Sequence, residues 1–121
     1  MKVLVVDDRA SVRRVLVRAL KFSGAKECVE AEDGVDALEK LDAVGFDLVV
    51  TDWDMPVMNG IEFVRALRSR RDGRDLAVLM VTSRAAPEEI KEALLAGADG
   101  FLAKPFELEE FREKLEEVLS I

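Results

Sequence analysis

Polar side chains that could carry phosphate chemistry stand directly after short apolar runs of this 121-residue sequence. Asp7 and Asp8 follow the first run, Asp52 the third, Thr82 the fourth and Lys104 the last. Ligands of an open parallel sheet bind outside the carboxyl ends of its strands, where the strand order reverses. If the runs are parallel strands of one sheet, we expect these residues to meet at one edge.

The residue types at this predicted edge favour phosphoryl transfer. Three ionised carboxylates side by side repel one another unless a cation neutralises them. Hard oxygen ligands that leave positions for water and phosphate suit Mg²⁺ or Mn²⁺. A lysine and a hydroxyl nearby could hold the incoming phosphoryl oxygens. The set therefore predicts a phosphate-transfer site with a carboxylate nucleophile.

Each of these residues also has a purely structural explanation. Asp7 and Asp8 could cap the first helix, Thr82 could simply end a strand, and residues 52–59 could be an ordinary turn-forming loop. Independent cap and turn residues, however, need not fall at the same edge in alternate segments of the chain. Taken together, the residues favour a functional site.

The elements that must position the site alternate between two periodicities. Continuous apolar runs, as expected for strands buried on both faces, predict strands at 3–6, 48–50 and 76–81, with weaker candidates at 27–30 and 100–103. Amphipathic repeats and end signals predict helices near 12–20, 34–41, 61–68, 87–96 and 108–119. Strand-helix alternation predicts a parallel α/β sandwich.

Composition narrows the classes of protein. One core is expected for 121 residues, hence a single domain over 1–121. The net charge of −7 disfavours nucleic acid as a partner. No apolar run approaches a membrane span and none is preceded by a charged leader, so we expect a soluble cytoplasmic protein. Cys28 is the only cysteine and histidine is absent, which excludes an internal disulfide and a Cys/His zinc site; a buried, inert thiol is expected.

The motifs together resemble a known family. Their order is an acidic pair at 7–8, Asp-Trp-Asp-Met-Pro at 52–56 with Asn-Gly at 59–60, Thr-Ser at 82–83, and Lys-Pro at 104–105. This order, over the whole chain, resembles the receiver domain of two-component response regulators, in particular the stand-alone chemotaxis type. The resemblance implies a flavodoxin-like, doubly wound sheet of five parallel strands in the order 2-1-3-4-5, with five helices.

The same resemblance implies a role for each matching position. Asp52 is the implied phosphoacceptor, and Asp7 and Asp8 the acidic pair that binds Mg²⁺ or Mn²⁺ with Asp52. The backbone carbonyl of Asp54 is the remaining protein ligand of that metal. Lys104 contacts the phosphoryl group, and its peptide bond to the following proline is usually cis.

Further positions are implied to control the switch. Thr82 supplies the switch hydroxyl and Phe101 the switch aromatic, which is often a tyrosine in chemotaxis receivers. Asp54 and Arg84 lie two residues beyond the phosphoacceptor and Thr82, where they are expected to pair and to modulate dephosphorylation. The implied partners are a histidine kinase or phosphotransfer protein and an output protein that binds the face of helix four, strand five and helix five. Such a domain catalyses only its own phosphorylation and dephosphorylation.

Three alternatives use parts of the same pattern. An aspartyl-phosphate phosphohydrolase would use Asp52 as nucleophile and Asp54 as acid-base, but its nucleophile usually ends the first strand, and the chain is too short for a cap over a substrate pocket. A flavin-binding module would need a phosphate-binding loop where Asp7 and Asp8 stand, and these would repel the phosphate. A degenerate receiver would lack part of the site, which is complete here.

Overall fold

Strands and helices alternate along the described residues, which are 1–42 and 45–120 of a computed structural model. The strands are β1 Lys2–Val6, β2 Glu27–Ala31, β3 Leu48–Thr51, β4 Ala77–Thr82 and β5 Gly100–Ala103. The helices are α1 Ala10–Phe22, α2 Gly34–Leu41, α3 Gly60–Ser69, α4 Pro87–Ala96 and α5 Leu108–Leu119. Ile121, the last residue of the predicted domain, lies outside the described residues.

These strands form one parallel sheet in the order β2-β1-β3-β4-β5. The strand order implied by the resemblance is thus confirmed. Because β1 lies between β2 and β3, the direction of winding reverses at β1, the place where open α/β sheets bind ligands. Val6 pairs with Thr51 across β1 and β3, so the next residues, Asp7 and Asp52, leave the sheet at the same edge.

The sheet is covered on both faces, which explains its continuous apolar strands. Alternate residues of β1 point to opposite faces: Leu4 packs in one apolar cluster and Val5 in the other. The first cluster joins the sheet to α2, α3 and α4 and contains Phe63, whereas the second joins it to α1 and α5 and contains Phe111. Both rings are fully buried, and truncation of either to alanine is expected to cost about 3–5 kcal/mol.

Several element ends lie one or two residues from those that periodicity predicts, and one short element was not predicted. Helix α3 begins at Gly60 because Asn59 and Glu62 form a capping box, with side-chain to backbone distances of 2.9 and 3.0 Å. Strand β4 begins one residue later than predicted and includes Thr82. A short 3-10 helix at Arg71–Gly73, which carries no apolar repeat, was not predicted.

The start of α1 decides against a capping role for the acidic pair. Arg9 occupies the N-cap position, and among the described residues no side chain caps this helix. Asp7 instead accepts a hydrogen bond from the backbone N–H of Arg9 at 2.9 Å, and its own carbonyl accepts one from Arg13 Nη1 at 2.6 Å. The capping explanation of Asp7 and Asp8 is therefore wrong.

Cys28 lies half-buried in β2, packed against the apolar cluster of α1 and α5. Burial is the largest cause that raises the pKa of its thiol above the usual value. The thiol is less buried than predicted, but its surroundings still disfavour the reactive thiolate form. Within the described residues, no helix is both long enough and apolar enough to cross a membrane.

Candidate functional site

Three carboxylates converge where β1 and β3 end. Oxygen atoms of Asp7, Asp8 and Asp52 all lie within 4.8 Å of one another. Asp7 is 1% exposed and Asp52 is also buried, whereas Asp8 is exposed to solvent. The convergence predicted for these two separate sequence segments, residues 7–8 and Asp52, is thus present in the fold.

Lys104 brings one positive charge to this cluster from the end of β5. Its Nζ lies 3.0 Å from Asp7 Oδ2 and 3.3 Å from Asp52 Oδ2. The backbone N–H of Lys104 donates to the carbonyl of Thr82 at 2.9 Å, which ties its strand end to that of β4. The Lys104–Pro105 peptide bond is cis, as the resemblance implies.

The donor set fits a small divalent cation. One lysine offsets only part of three carboxylate charges, so the cluster keeps an excess of negative charge that a cation would neutralise. The ligands are hard oxygens, and the exposed side at Asp8 leaves room for water or phosphate, as Mg²⁺ or Mn²⁺ requires. An open cavity beside the cluster is lined by Asp8, Asp54, Met55, Pro56 and Asn59.

The carboxylate of Asp52 is held by the backbone around it. The N–H of Trp53 donates to Asp52 Oδ1 at 2.6 Å, which leaves Oδ2 facing Lys104. The N–H of Gly60 donates to the Trp53 carbonyl at 2.8 Å and folds the loop back onto itself. A Cβ at position 60 would lie 2.1 Å from the Asp52 carbonyl oxygen, so this close approach requires glycine.

The two predicted switch residues lie on neighbouring strands. Thr82 is fully buried at the end of β4, and its Oγ1 accepts a hydrogen bond from the Arg84 N–H at 3.3 Å. Phe101 lies on β5 and is partly buried against the apolar cluster of α2, α3 and α4. Thr82 pairs in register with Ala103, the residue before Lys104.

Arg84 links the loop that follows β3 to helix α4 beside the site. Its guanidinium donates to Asp54 in a bidentate manner, with Nη2 2.7 Å from Oδ1 and Nε 3.0 Å from each carboxylate oxygen, so the predicted Asp54–Arg84 pair is confirmed. Its Nη1 donates to Glu89 Oε2 at 2.9 Å. The guanidinium also lies over the Trp53 ring, 5.1 Å from the ring centroid, a cation–π arrangement.

These contacts account for the charge states in the network. Hydrogen bonds from Arg84 hold the pKa of Asp54 below its usual value. Hydrogen bonds to Asp54 and then to Glu89 raise the pKa of Arg84. Sequence reasoning missed Glu89 and the stacking on Trp53. The available signal is a glutamate two residues after the proline that begins α4, a position that by itself indicates only a helix cap.

Comparisons with known proteins agree with this architecture. A family model described as the response regulator receiver domain matches residues 3–116. Chemotaxis protein CheY of Pseudomonas aeruginosa is 42% identical over 118 residues, which are 98% of this chain and 95% of that protein. The structure of chemotaxis response regulator CheY4 of Vibrio cholerae is similar with a TM-score of 0.90 and 40% identity, and 98% of each chain is covered.

A further solved structure is the receiver domain of a sensor histidine kinase from Pseudomonas aeruginosa. It is 25% identical with a TM-score of 0.88, and the match covers 99% of this chain and 98% of that one. Its description reports a magnesium ion coordinated in the active site cleft.

Proposed function

Because the chain belongs to the family of response regulator receiver domains, we propose that it is a phosphorylation-controlled signalling switch of a two-component system. In this proposal Asp52 accepts a phosphoryl group from a histidine kinase or a phosphotransfer protein. The observation that carries the proposal is the meeting of three carboxylates within 4.8 Å, with Lys104 Nζ beside two of them.

We assign Mg²⁺ or Mn²⁺ as the cofactor of this site. The side chains of Asp7, Asp8 and Asp52, with the backbone carbonyl of Asp54, would hold it. When bound, such a cation supplies positive charge for the phosphoryl oxygens and orients them. The magnesium ion described for the related kinase receiver domain supports this assignment.

Three residues of the chain have separate roles in the proposed phosphoryl transfer. A carboxylate oxygen of Asp52 forms a bond to phosphorus while the bond from phosphorus to the donor's imidazole nitrogen breaks, and that nitrogen leaves with its electron pair. Lys104 offsets negative charge on the transferring group from its position 3.3 Å from Asp52 Oδ2. The Trp53 N–H fixes the carboxylate through Oδ1 and costs no reorganisation during the reaction.

The switch follows from the charge that phosphorylation adds. The buried hydroxyl of Thr82 moves toward the phosphoryl oxygens as a hydrogen-bond donor, and the ring of Phe101 fills the space it leaves. The face formed by α4, β5 and α5 then changes its affinity for an output protein. Phosphorylation thus shifts a two-state population.

The similarity to chemotaxis proteins leads us to propose a chemotaxis pathway as the setting. Phe101 has no hydroxyl, so an output partner that requires a tyrosine hydroxyl at this position would not recognise this chain. The output protein is therefore expected to read the position of the ring and the shape of the face around it.

A phosphohydrolase function is less well supported. Such an enzyme usually places its nucleophile after the first strand, whereas Asp52 follows β3. The side chain of Asp54, its acid-base candidate, is engaged by Arg84. We therefore propose no turnover of external phosphate esters.

One labelling experiment tests both the requirement for a divalent cation and the role of Asp52 as phosphoacceptor. Acetyl phosphate, a small acyl-phosphate donor, is expected to label the parent chain in the presence of Mg²⁺ or Mn²⁺ and not in excess chelator. Asp52→Asn should abolish the label because its amide is not a nucleophile of this kind. Full labelling of Asp52→Asn, or of the parent in chelator, would refute the assignment of the site.

A further inference from the structure

Glu89 uses its two carboxylate oxygens for two different purposes. Oε1 accepts the backbone N–H of Ala86 at 3.1 Å, which satisfies a free donor at the start of α4. Oε2 accepts a hydrogen bond from Arg84 Nη1 at 2.9 Å. The Glu89 side chain is 24% exposed, so it is more enclosed than either Arg84 or Asp54. One carboxylate thereby links the first turn of α4 to the guanidinium beside the phosphoacceptor.

The contacts of Arg84 extend this link to the acceptor loop. The guanidinium lies between two carboxylates, that of Glu89 on α4 and that of Asp54 on the loop that follows β3. Its position over Trp53 limits its movement on a third side. Asp54 and Trp53 are the two residues that follow Asp52 directly, so the orientation of Arg84 is coupled to the segment that carries the acceptor.

We propose that Glu89 is a positioning residue that holds Arg84 against Asp54 and so restricts the approach of water to a phosphorylated Asp52. The inference rests on the proposed function and adds a residue that neither the motifs nor the resemblance assigns. In the hydrolysis that it slows, a water oxygen forms a bond to phosphorus while the bond to the Asp52 oxygen breaks. Asp52 leaves as a carboxylate, and the proton of the water passes to solvent as inorganic phosphate forms.

Removal of the Glu89 charge leaves Arg84 with one carboxylate partner instead of two. Arg84 and Asp54 can then move together away from α4, and the path to the acceptor opens more often. The Glu89–Arg84 pair is near the surface, so its loss is expected to speed decay of the phosphorylated form about two- to fivefold.

The test compares Glu89→Gln with a matched control. Glutamine can still accept the Ala86 N–H and serve the cap, so this variant removes the charge and preserves the start of the helix. Glu88→Gln is the control, because Glu88 is exposed in the same turn and the substitution changes net charge equally. Each protein is labelled with acetyl phosphate and Mg²⁺, the donor is removed, and loss of the label is followed with time.

The expected result is faster decay in Glu89→Gln and a rate near that of the parent in Glu88→Gln, with equal initial labelling. In an Arg84→Ala background, which should itself decay faster than the parent, Glu89→Gln should add nothing further, because the residue acts through Arg84. An unchanged or slower decay in Glu89→Gln, or an equal acceleration without Arg84, would overturn the inference. Absence of label from the parent would instead overturn the proposed function, and the inference would fall with it.

Discussion

Asp8 is the residue at which function should conflict most directly with stability. It is exposed, unlike Asp7 and Asp52, yet its carboxylate lies within 4.8 Å of both. It does not cap α1, whose N-cap is Arg9, so its substitution should not weaken that helix. In the absence of a cation, Asp8→Asn is expected to stabilise the fold because it removes repulsion from both neighbours.

The magnitude follows from the geometry of the cluster. Two unit charges 4.8 Å apart interact by about 0.9 kcal/mol at the dielectric constant of water, and Asp8 faces two like charges at or within this distance. Lys104, which lies 3.0 Å from Asp7 and 3.3 Å from Asp52, offsets part of that repulsion. We therefore expect a gain of about 1 kcal/mol, which for a domain of this size raises Tm by about 3–5 °C.

Thermal unfolding followed by far-ultraviolet circular dichroism measures this change at neutral pH in chelator. Asp75→Asn is the control, because Asp75 is exposed just before β4, at the opposite edge of the sheet, and its substitution changes net charge equally. Mg²⁺ should then raise the Tm of the parent more than that of Asp8→Asn, which lacks one ligand. An Asp8→Asn protein that melts no higher than Asp75→Asn in chelator would refute the repulsion argument.

Three further predictions concern the loop after β3. Trp53 is buried, its backbone N–H donates to the Asp52 carboxylate, and its ring lies under the Arg84 guanidinium. Its fluorescence should therefore change as Mg²⁺ is titrated. An unchanged spectrum while calorimetry reports binding would contradict this environment. Val57 has a φ of 70° and is 80% exposed, so Val57→Gly should raise the free energy of unfolding in urea by about 0.5 kcal/mol, with Val57→Ala giving less; equal stability in parent and glycine variant would exclude strain there. Arg84 lowers the pKa of Asp54 in the folded state, so the pair stabilises the fold above the unfolded pKa and this contribution is lost as pH falls through the folded one. Asp54→Asn should therefore be slightly less stable than the parent at pH 7, and the difference should begin to shrink below about pH 4 and vanish once the pH is below the folded pKa; a difference that does not shrink in acid would point to another cause.

The elements of this fold could be predicted closely because their signals are local. Helix α4 begins at Pro87 and ends before Gly97, as proline at the first turn and glycine after the last turn indicate. The apolar run of β1 has no alternation because both faces of the sheet are covered. The start of α3 was missed by one residue because the capping box that fixes it uses side-chain hydrogen bonds, whereas the helix was placed from its apolar repeat.

The sequence by itself determined the kind of site. Aspartates, a threonine and a lysine directly after successive strands indicate a cation and a phosphate at one sheet edge, since parallel strands bring their carboxyl ends together. Periodicity carries no information on which strands are neighbours, and the order 2-1-3-4-5 came from the resemblance to receiver domains. The residue types therefore indicate which chemistry the cluster can perform, whereas the strand order determines that these residues meet.

Only the tertiary structure decided how the charges are distributed around that site. Lys104 lies between Asp7 and Asp52, 97 and 52 residues away in the chain, because strand register and side-chain conformation set distances that spacing cannot. The same holds for Arg84, which is held by Glu89 as well as by the predicted partner Asp54. The long, flexible side chain of an arginine can pair with any carboxylate within its reach. Which carboxylates are within reach is known only once the loops have been placed.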